Sequence, residues 1–257
     1  EPGQSDMFPL SHQISDPRVT CFAEDGYGFV WIGTRHGLNR FSGSTYVPYL
    51  AGKDSLSLSG DAINALLEDG DKIWIGNEHG IEMISYGNVR RKAPAVDNVV
   101  NCIAGLDSST LVVSNVDGIA LYDKESGRTL KSYEQREVAL TTHIALSPDG
   151  MIWASGRKGV PFIFIFDKNL DLRHTIPFPE GSRINGISSM GGLMYIATVH
   201  INQIARRLKS EKGNPNWQYN VKIRQCISDV QYTKQSVYIF RQKIRVFEIS
   251  QNAEYHD

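Results

Sequence analysis

The sequence lacks any long apolar segment. Its longest apolar run, Val160 to Phe166, is interrupted by Pro161 and is far shorter than the roughly 20 residues that a membrane-spanning helix needs. We therefore expect no direct membrane insertion by this segment, and the N-terminus shows no signal-peptide pattern. Because the chain begins at Glu1 without an initiator methionine, we interpret it as a processed or excised piece of a longer protein.

Cysteine is scarce, and neither sign of charge is in excess. The three cysteines, Cys21, Cys102 and Cys226, show no Cys-x-x-Cys or Cys/His ligand spacing, so we interpret them as small buried residues and expect no metal and no cofactor. Lys and Arg number 27 against 28 Asp and Glu, and the formal net charge of -1 provides no general field that would attract nucleic acid.

What the sequence does contain is a repeat. The motif Trp31-Ile32-Gly33 returns about forty residues later as Trp74-Ile75-Gly76, and each copy is followed by a polar pair, His-Gly and an apolar residue. Units of this length, with short apolar runs separated by Gly and Asp turns, are typical of four-stranded propeller blades. The predicted fold class is therefore all-β, a β-propeller with six visible blades. The repeated Trp position is filled in turn by Trp31, Trp74, Val112, Trp153, Tyr195 and Tyr238.

The predicted blades belong to one domain spanning residues 1–257. Their approximate limits are 18–50, 62–92, 99–133, 142–177, 183–221 and 225–250. An open propeller would expose two sheet edges, and the last unit ends with its third strand. We expect residues 7–12 to supply the missing outer strand of the last blade and to latch the ring. The alternative is that further blades follow Asp257 in the natural protein.

The first repeat is similar to a known family. The stretch from Val19 to Phe41, with Trp31-Ile32-Gly33-Thr34 and Gly37-Leu38, resembles the two-component regulator propeller repeat. That repeat occurs in the sensor domains of Bacteroides-type hybrid two-component histidine kinases. The second repeat matches well, and the later repeats keep the period while losing motif residues.

The resemblance implies a periplasmic ligand-sensing segment, the extracytoplasmic part of an inner-membrane sensor. In the full protein it would be joined to further repeats, an immunoglobulin-like domain, a membrane helix and a histidine kinase. Such sensors commonly detect oligosaccharides and control genes for polysaccharide utilisation, and this segment would either bind the oligosaccharide or contribute to receptor dimerisation while another domain binds it. The expected partners are a small-molecule or oligosaccharide ligand, the remaining domains of the same receptor, and a second copy in a homodimer; no nucleic acid is expected.

The topology itself predicts where a ligand would bind. In a propeller, the starts of the inner strands and the loops from second to third strands lie on one face, and here they are rich in Arg, Asn and His, which suit hydroxyls and carboxylates. The alternative is that these polar side chains only satisfy loop backbone groups or hold water. The candidate ligand-binding residues are Arg35, His36, Glu78, His79, Asn101, His143, Arg157, Lys158, Asn185, His200 and Arg241.

The leading alternative function is a propeller enzyme acting on carbohydrate, of the lyase, lactonase or glycosidase type, since fold alone does not decide function. The inner positions offer several Asn but few acids for a metal lactonase. The segment from Ser147 to Trp153 is one residue too short for a sialidase turn, and no nucleophile-elbow motif is present. We therefore expect no catalytic residues in this segment, although the full-length protein would be a histidine kinase.

Overall fold

The structure is a computed structural model with two compact units, residues 1–135 and residues 136–257. The predicted latch strand at 7–12, apart from His12, and the candidates His200 and Arg241 lie outside the residues it describes. The described residues contain no helix, and so none long and apolar enough to cross a membrane. The structure describes residues 12–53, 57–85, 88–90, 98–139, 141–158, 160–178, 180, 182–190, 193–199, 219–227, 230–232, 237–239 and 243–251.

Unit 1 contains three four-stranded antiparallel sheets in which strand order follows the chain. Sheet 1 consists of β1 (Val19–Glu24), β2 (Val30–Thr34), β3 (Gly37–Phe41) and β4 (Tyr46–Tyr49). Sheet 2 consists of β5 (Ile63–Asp69), β6 (Lys72–Asn77), β7 (Gly80–Ser85) and β8 (Asn88–Arg90). Sheet 3 consists of β9 (Cys102–Gly105), β10 (Thr110–Ser114), β11 (Ile119–Asp123) and β12 (Thr129–Tyr133).

A buried aspartate closes the first hairpin of sheet 1. Oδ1 of Asp25 accepts hydrogen bonds from the backbone N–H groups of Tyr27 and Phe29, both at 3.0 Å. Its Oδ2 accepts a hydrogen bond from Nε1 of Trp31 at 2.8 Å. One carboxylate therefore satisfies the turn backbone and the indole of the repeated tryptophan, which explains why an Asp-Gly turn precedes that tryptophan.

The repeated tryptophans lie in the apolar layers between neighbouring sheets. Trp31 packs with Leu38 and Ile63 between sheets 1 and 2, and Trp74 packs with Val100 between sheets 2 and 3. The glycine of the repeated motif makes this close approach possible, because a Cβ on Gly76 would lie 2.6 Å from Cγ1 of Val100. The motif thus places a large buried ring two residues before a glycine, and the segment that leads into the next inner strand comes too close to this glycine for any side chain to fit there.

The structure describes the side chains of two of the three cysteines, Cys21 and Cys102. Cys21 is buried, as predicted, and burial raises the pKa of its thiol to about 12. Cys102 is half-buried on the inner strand of sheet 3. Because a thiol with so high a pKa is almost entirely protonated at neutral pH, Cys21 behaves as a small apolar residue.

Unit 2 contains two further four-stranded sheets and a two-stranded pair. Sheet 4 consists of β13 (Ile144–Leu146), β14 (Ile152–Lys158), β15 (Val160–Phe166) and β16 (Leu172–Pro177). Sheet 5 has the strand order β17 (Arg183–Met190), β18 (Leu193–Val199), β22 (Lys243–Gln251) and β19 (Tyr219–Ile227). The separate pair is β20 (Val230–Tyr232) with β21 (Val237–Ile239).

The all-β class is confirmed, but strand pairing in the last two repeats differs from the prediction. The sequence predicts a sixth four-stranded blade from residues 225–250 plus the strand at 7–12, whereas the described residues form five four-stranded sheets, and β22 lies between β18 and β19 in the fifth. The physical reason is that this nine-residue strand offers backbone donors and acceptors along both edges, so it can pair with both neighbours. The predicted single domain over residues 1–257 stays a prediction.

Candidate ligand-binding site

The turns between second and third strands share one design in the three sheets of unit 1. In each, a Thr or Asn oxygen accepts a hydrogen bond from the backbone N–H two residues later, and a glycine with positive φ follows. We call the end of unit 1 that carries turns 34–37, 77–80 and 115–118 the turn end. The acceptors are Thr34, Asn77 and Asn115, the donors are His36, His79 and Asp117, and the glycines are Gly37 (φ 102), Gly80 (φ 133) and Gly118 (φ 153).

The innermost strands begin at this same end, and polar side chains join them. A β-bulge occurs at Thr20 in β1 and another at Asn64 in β5. Oγ1 of Thr20 donates to the carbonyl of Ile63 at 2.5 Å, and Nδ2 of Asn64 donates to the carbonyl of Val100 at 3.1 Å. Each bulge therefore directs a side chain onto the following sheet, which holds the three strand starts in fixed relative positions.

Arg35 and His36 lie exposed in the turn of sheet 1. Nδ1 of His36 is 3.3 Å from Oδ2 of Asp61, which precedes the inner strand of sheet 2. The backbone N–H of Arg35 donates to the carbonyl of Arg18 at 3.1 Å. Its guanidinium makes no hydrogen bond or ion pair within the part of the chain that the structure describes, and the side chain is exposed.

Arg18 forms a bidentate ion pair with Asp16 just before the start of β1. Nε and Nη2 of Arg18 donate to the two carboxylate oxygens at 3.0 and 2.7 Å, and the backbone N–H of Arg18 adds a third hydrogen bond at 2.7 Å. The side-chain bond from Arg18 is the main reason that the pKa of Asp16 falls from 3.8 to about 2, with the charge of His36 making a smaller contribution in the same direction. These three residues are thus electrostatically linked.

We expect the Arg18→Gln substitution to raise the pKa of Asp16 part of the way towards 3.8, since the side-chain hydrogen bond is lost while the backbone hydrogen bond of residue 18 remains. In the native chain the pKa of Asp16 is lower in the folded state than in the unfolded state. The ion pair therefore stabilises the fold fully above about pH 4, and this stabilisation is lost as the pH falls through about 2. Carbon-detected NMR titration of the Asp16 carboxyl measures both values. An unchanged pKa in the variant would contradict the assigned cause.

The turn of sheet 2 carries Glu78 and His79. Oε1 of Glu78 accepts a hydrogen bond from the backbone N–H of Asp61 at 3.0 Å, whereas its Oε2 is buried without a partner among the described residues. Asp61 in turn accepts from the backbone N–H of Ala51 at 2.7 Å. Oε1 of Glu78 and Oδ1 of Asp61 are therefore already used by the protein's own donors, while the His79 side chain is exposed.

A second repeated contact anchors the segment before each inner strand. Oδ1 of Asn39 accepts from the backbone N–H of Ser15 at 3.0 Å, and Oε1 of Glu82 accepts from that of Ser59 at 2.8 Å. Both acceptors are buried at the same position of consecutive repeats. These anchors position Asp16 and Asp61, which sequence reasoning missed; the recurring Ser, at 15 and 59, was the signal that could have indicated them.

The candidates of unit 1 thus lie at one end of its sheets. Arg35, His36, Glu78 and His79 occupy the turns, and Asn101 is half-buried beside them, with its backbone N–H donating to the carbonyl of Ser114 at 3.0 Å. This placement agrees with the predicted topology. That these residues bind a ligand stays a prediction.

Two candidates of unit 2 are not loop residues. Arg157 and Lys158 were predicted between the second and third strands, but they belong to β14, where they pair with Pro161 and Val160 of β15. The hairpin stays regular almost to its tip because Arg157 is held from the other side as well, its backbone N–H donating to the carbonyl of Glu137 at 2.7 Å. The prediction of a loop at these positions was therefore wrong.

His143 and Asn185 join the inner strands of sheets 4 and 5. Nδ1 of His143 lies 2.8 Å from Oγ1 of Thr142, and the ring also forms a hydrogen bond with the backbone of Asn185, which occupies a β-bulge in β17. Burial lowers the pKa of His143, outweighing the hydrogen bond with Asn185, and the charge of Arg183 lowers it further. This histidine is therefore predominantly neutral at pH 7 and acts as a hydrogen-bonding link.

The residues that the structure describes contain no group of three or more His, Cys, Asp or Glu side chains that could hold a metal ion. At the turn end the arrangement offers hydrogen-bond donors and acceptors on rigid turns. Such groups can form hydrogen bonds with a polar ligand.

Comparison with known proteins identifies the first repeat. Residues 13–36 match the family model described as the two component regulator propeller, which confirms the resemblance seen in the sequence. No curated protein matches the chain in sequence.

Solved structures support the fold class. The chain is similar to the WD40 β-propeller domain of Doa1, with 21% identity and a TM-score of 0.53 over 65% of this chain and 56% of that one. It is also similar to the Neurospora crassa Pan2 WD40 domain, with 14% identity and a TM-score of 0.55 over 73% and 60%. The chain thus spans under two thirds of both, and these similarities confirm a β-propeller fold.

A weaker similarity is to the extracellular domain of a B. thetaiotaomicron protein, BT4673, which is named as a hybrid two component system. Identity is 15% and the TM-score is 0.47, over 74% of this chain and 32% of that one.

Proposed function

We propose that this chain is the ligand-sensing propeller segment of a periplasmic, membrane-anchored hybrid two-component sensor that binds an oligosaccharide and controls genes for polysaccharide utilisation. The observation that carries the proposal is the match of residues 13–36 to the two component regulator propeller. The matched segment supplies Arg18, Arg35 and His36 to the turn end. The family similarity and the candidate site therefore coincide.

The geometry of the turn end supports a binding role. Its three turns are closed by internal hydrogen bonds and by glycine, so their exposed side chains are presented on a backbone that needs little ordering when a ligand binds. Sugar hydroxyls act as both donors and acceptors. An exposed neutral imidazole can both donate to and accept from them, and an exposed guanidinium donates.

A sensor must respond to its ligand, and a ligand shifts an equilibrium only if it binds one state better than the other. The sheets of unit 1 are locked together by buried apolar layers and by the Thr20 and Asn64 hydrogen bonds. We therefore propose that binding changes contacts with the remaining domains of the receptor or with a second copy, while the sheets themselves move little.

The test is a thermal-shift screen of the purified chain against an oligosaccharide library, followed by calorimetry on the hits. A ligand at a hundred times its Kd should add about 2.7 kcal/mol of stability and raise the melting temperature. The His36→Ala/His79→Ala double variant should weaken binding about thirtyfold, because each of the two lost hydrogen bonds contributes about 1 kcal/mol. Asp71→Ala, at an exposed turn on the opposite end of sheet 2, is the matched control and should bind like the native chain.

Other outcomes select the rival roles. If no glycan binds but the chain dimerises in analytical ultracentrifugation, dimerisation replaces ligand sensing. We propose that the segment has no catalytic activity; turnover of any substrate in a lyase, lactonase and glycosidase panel would overturn that proposal.

A further inference from the structure

Arg18 and Arg35 are two exposed arginines whose backbones meet at the turn end. Their backbones are joined by the hydrogen bond from the N–H of Arg35 to the carbonyl of Arg18 at 3.1 Å. The Arg18 side chain is 71% exposed although it is engaged with Asp16, and Arg35 is exposed as well. Only one carboxylate, that of Asp16, forms an ion pair with either guanidinium among the described residues.

The other carboxylates of the region do not neutralise Arg35. Asp61 is held by the backbone of Ala51 and by the ring of His36, and Oε1 of Glu78 accepts from the backbone of Asp61. Each acid is thus positioned by its own partners. Among the described residues no acceptor occupies the five N–H donors of the Arg35 guanidinium, whose planar geometry matches a carboxylate or a sulfate.

We propose that the turn end recognises the acid group of an anionic saccharide, with Arg35 as the residue that pairs with the group and Arg18 as the second cation. This inference rests on the proposed function and narrows its ligand class. A uronate carboxylate and a sulfate ester share the required chemistry, since both offer two acceptor oxygens to a bidentate guanidinium. An uncharged sugar has no group that could form an ion pair with Arg35.

The experiment measures calorimetric affinities of the full chain for three hexasaccharides: hexagalacturonate, a κ-carrageenan hexamer that carries sulfate but no carboxylate, and uncharged cellohexaose. We expect one of the two acidic probes to bind at least tenfold more tightly than cellohexaose. Raising the salt concentration from 50 to 300 mM should weaken acidic binding severalfold, because an exposed charge pair is screened. Comparison of the two acidic probes distinguishes carboxylate from sulfate.

Arg35→Gln should weaken acidic binding about tenfold or more, and Arg18→Gln should weaken it by a smaller factor. Arg128→Gln is the matched control, because Arg128 is an exposed arginine beyond the opposite end of β11 in the same unit, and it should change affinity less than twofold. Far-ultraviolet circular dichroism confirms that each variant is folded.

The outcomes separate this inference from the proposed function. If cellohexaose or another neutral glycan binds and both acidic hexamers do not, or if Arg35→Gln behaves like Arg128→Gln, the anionic class is wrong while carbohydrate sensing stands. If no glycan from the full library binds, both proposals fail.

Discussion

Replacing Trp74 with alanine is expected to lower the free energy of unfolding by about 3–5 kcal/mol. The indole is 1% exposed and fills the layer between sheets 2 and 3, where it meets Tyr122 edge-on at 6.4 Å. Its Nε1 also donates to Oδ2 of Asp69 at 3.0 Å, so the substitution removes a buried ring and a hydrogen bond together. Urea unfolding followed by circular dichroism measures the loss.

Two control variants are informative: one removes the hydrogen bond but keeps a ring, and the other removes an exposed ring. Trp74→Phe keeps an aromatic ring but loses the N–H donor, and should cost about 1–2 kcal/mol. Tyr27→Ala removes an aromatic side chain that is 70% exposed and should change stability by less than about 0.5 kcal/mol. A loss below about 1 kcal/mol for Trp74→Ala would show that this layer is not a stabilising core.

Gly118→Ala is expected to cost about 3 kcal/mol or more, because two penalties of about 1–3 kcal/mol combine. The glycine has a φ of 153, a conformation that side chains rarely adopt, and a Cβ built there would lie 2.1 Å from the carbonyl oxygen of Tyr133. That neighbour is backbone and cannot rotate away, so the end of β12 would have to move. Equilibrium urea unfolding of the purified variant measures the cost.

The matched control is Gly26→Ala, at a turn glycine with no atom within 4 Å of its hypothetical Cβ and without a left-handed φ. This substitution should be neutral or slightly stabilising, since alanine restricts the unfolded chain. Equal effects of the two substitutions would show that the close approach at Gly118 does not exist in solution.

The sequence was most informative where a local pattern determines local structure. The Trp-Ile-Gly motif predicted repeated sheets, and the polar pairs before Gly37 and Gly80 predicted turns, because glycine with positive φ and a polar turn residue define such turns with little help from the rest of the chain. The turn-end positions of Arg35 and Glu78 follow from this alone.

The missed features depend on contacts between distant residues. Asp16 and Asp61 lie in irregular segments without hydrophobic periodicity, and their roles arise only when Asn39 and Glu82 dock those segments. The loop predicted at Arg157 became strand because pairing continues toward the hairpin tip. The insertion of β22 into sheet 5 likewise depends on long-range pairing, which the weakened motifs of the last repeats do not encode.

The hydrogen bonds of Thr20 and Asn64 end on main-chain carbonyls, a group that every residue type possesses. These two hydrogen bonds can therefore form whatever side chain the neighbouring repeat carries at the acceptor position. If a whole repeat were duplicated or exchanged in the gene, these two hydrogen bonds would form again without a compensating mutation, and only the apolar layer between the sheets would have to match.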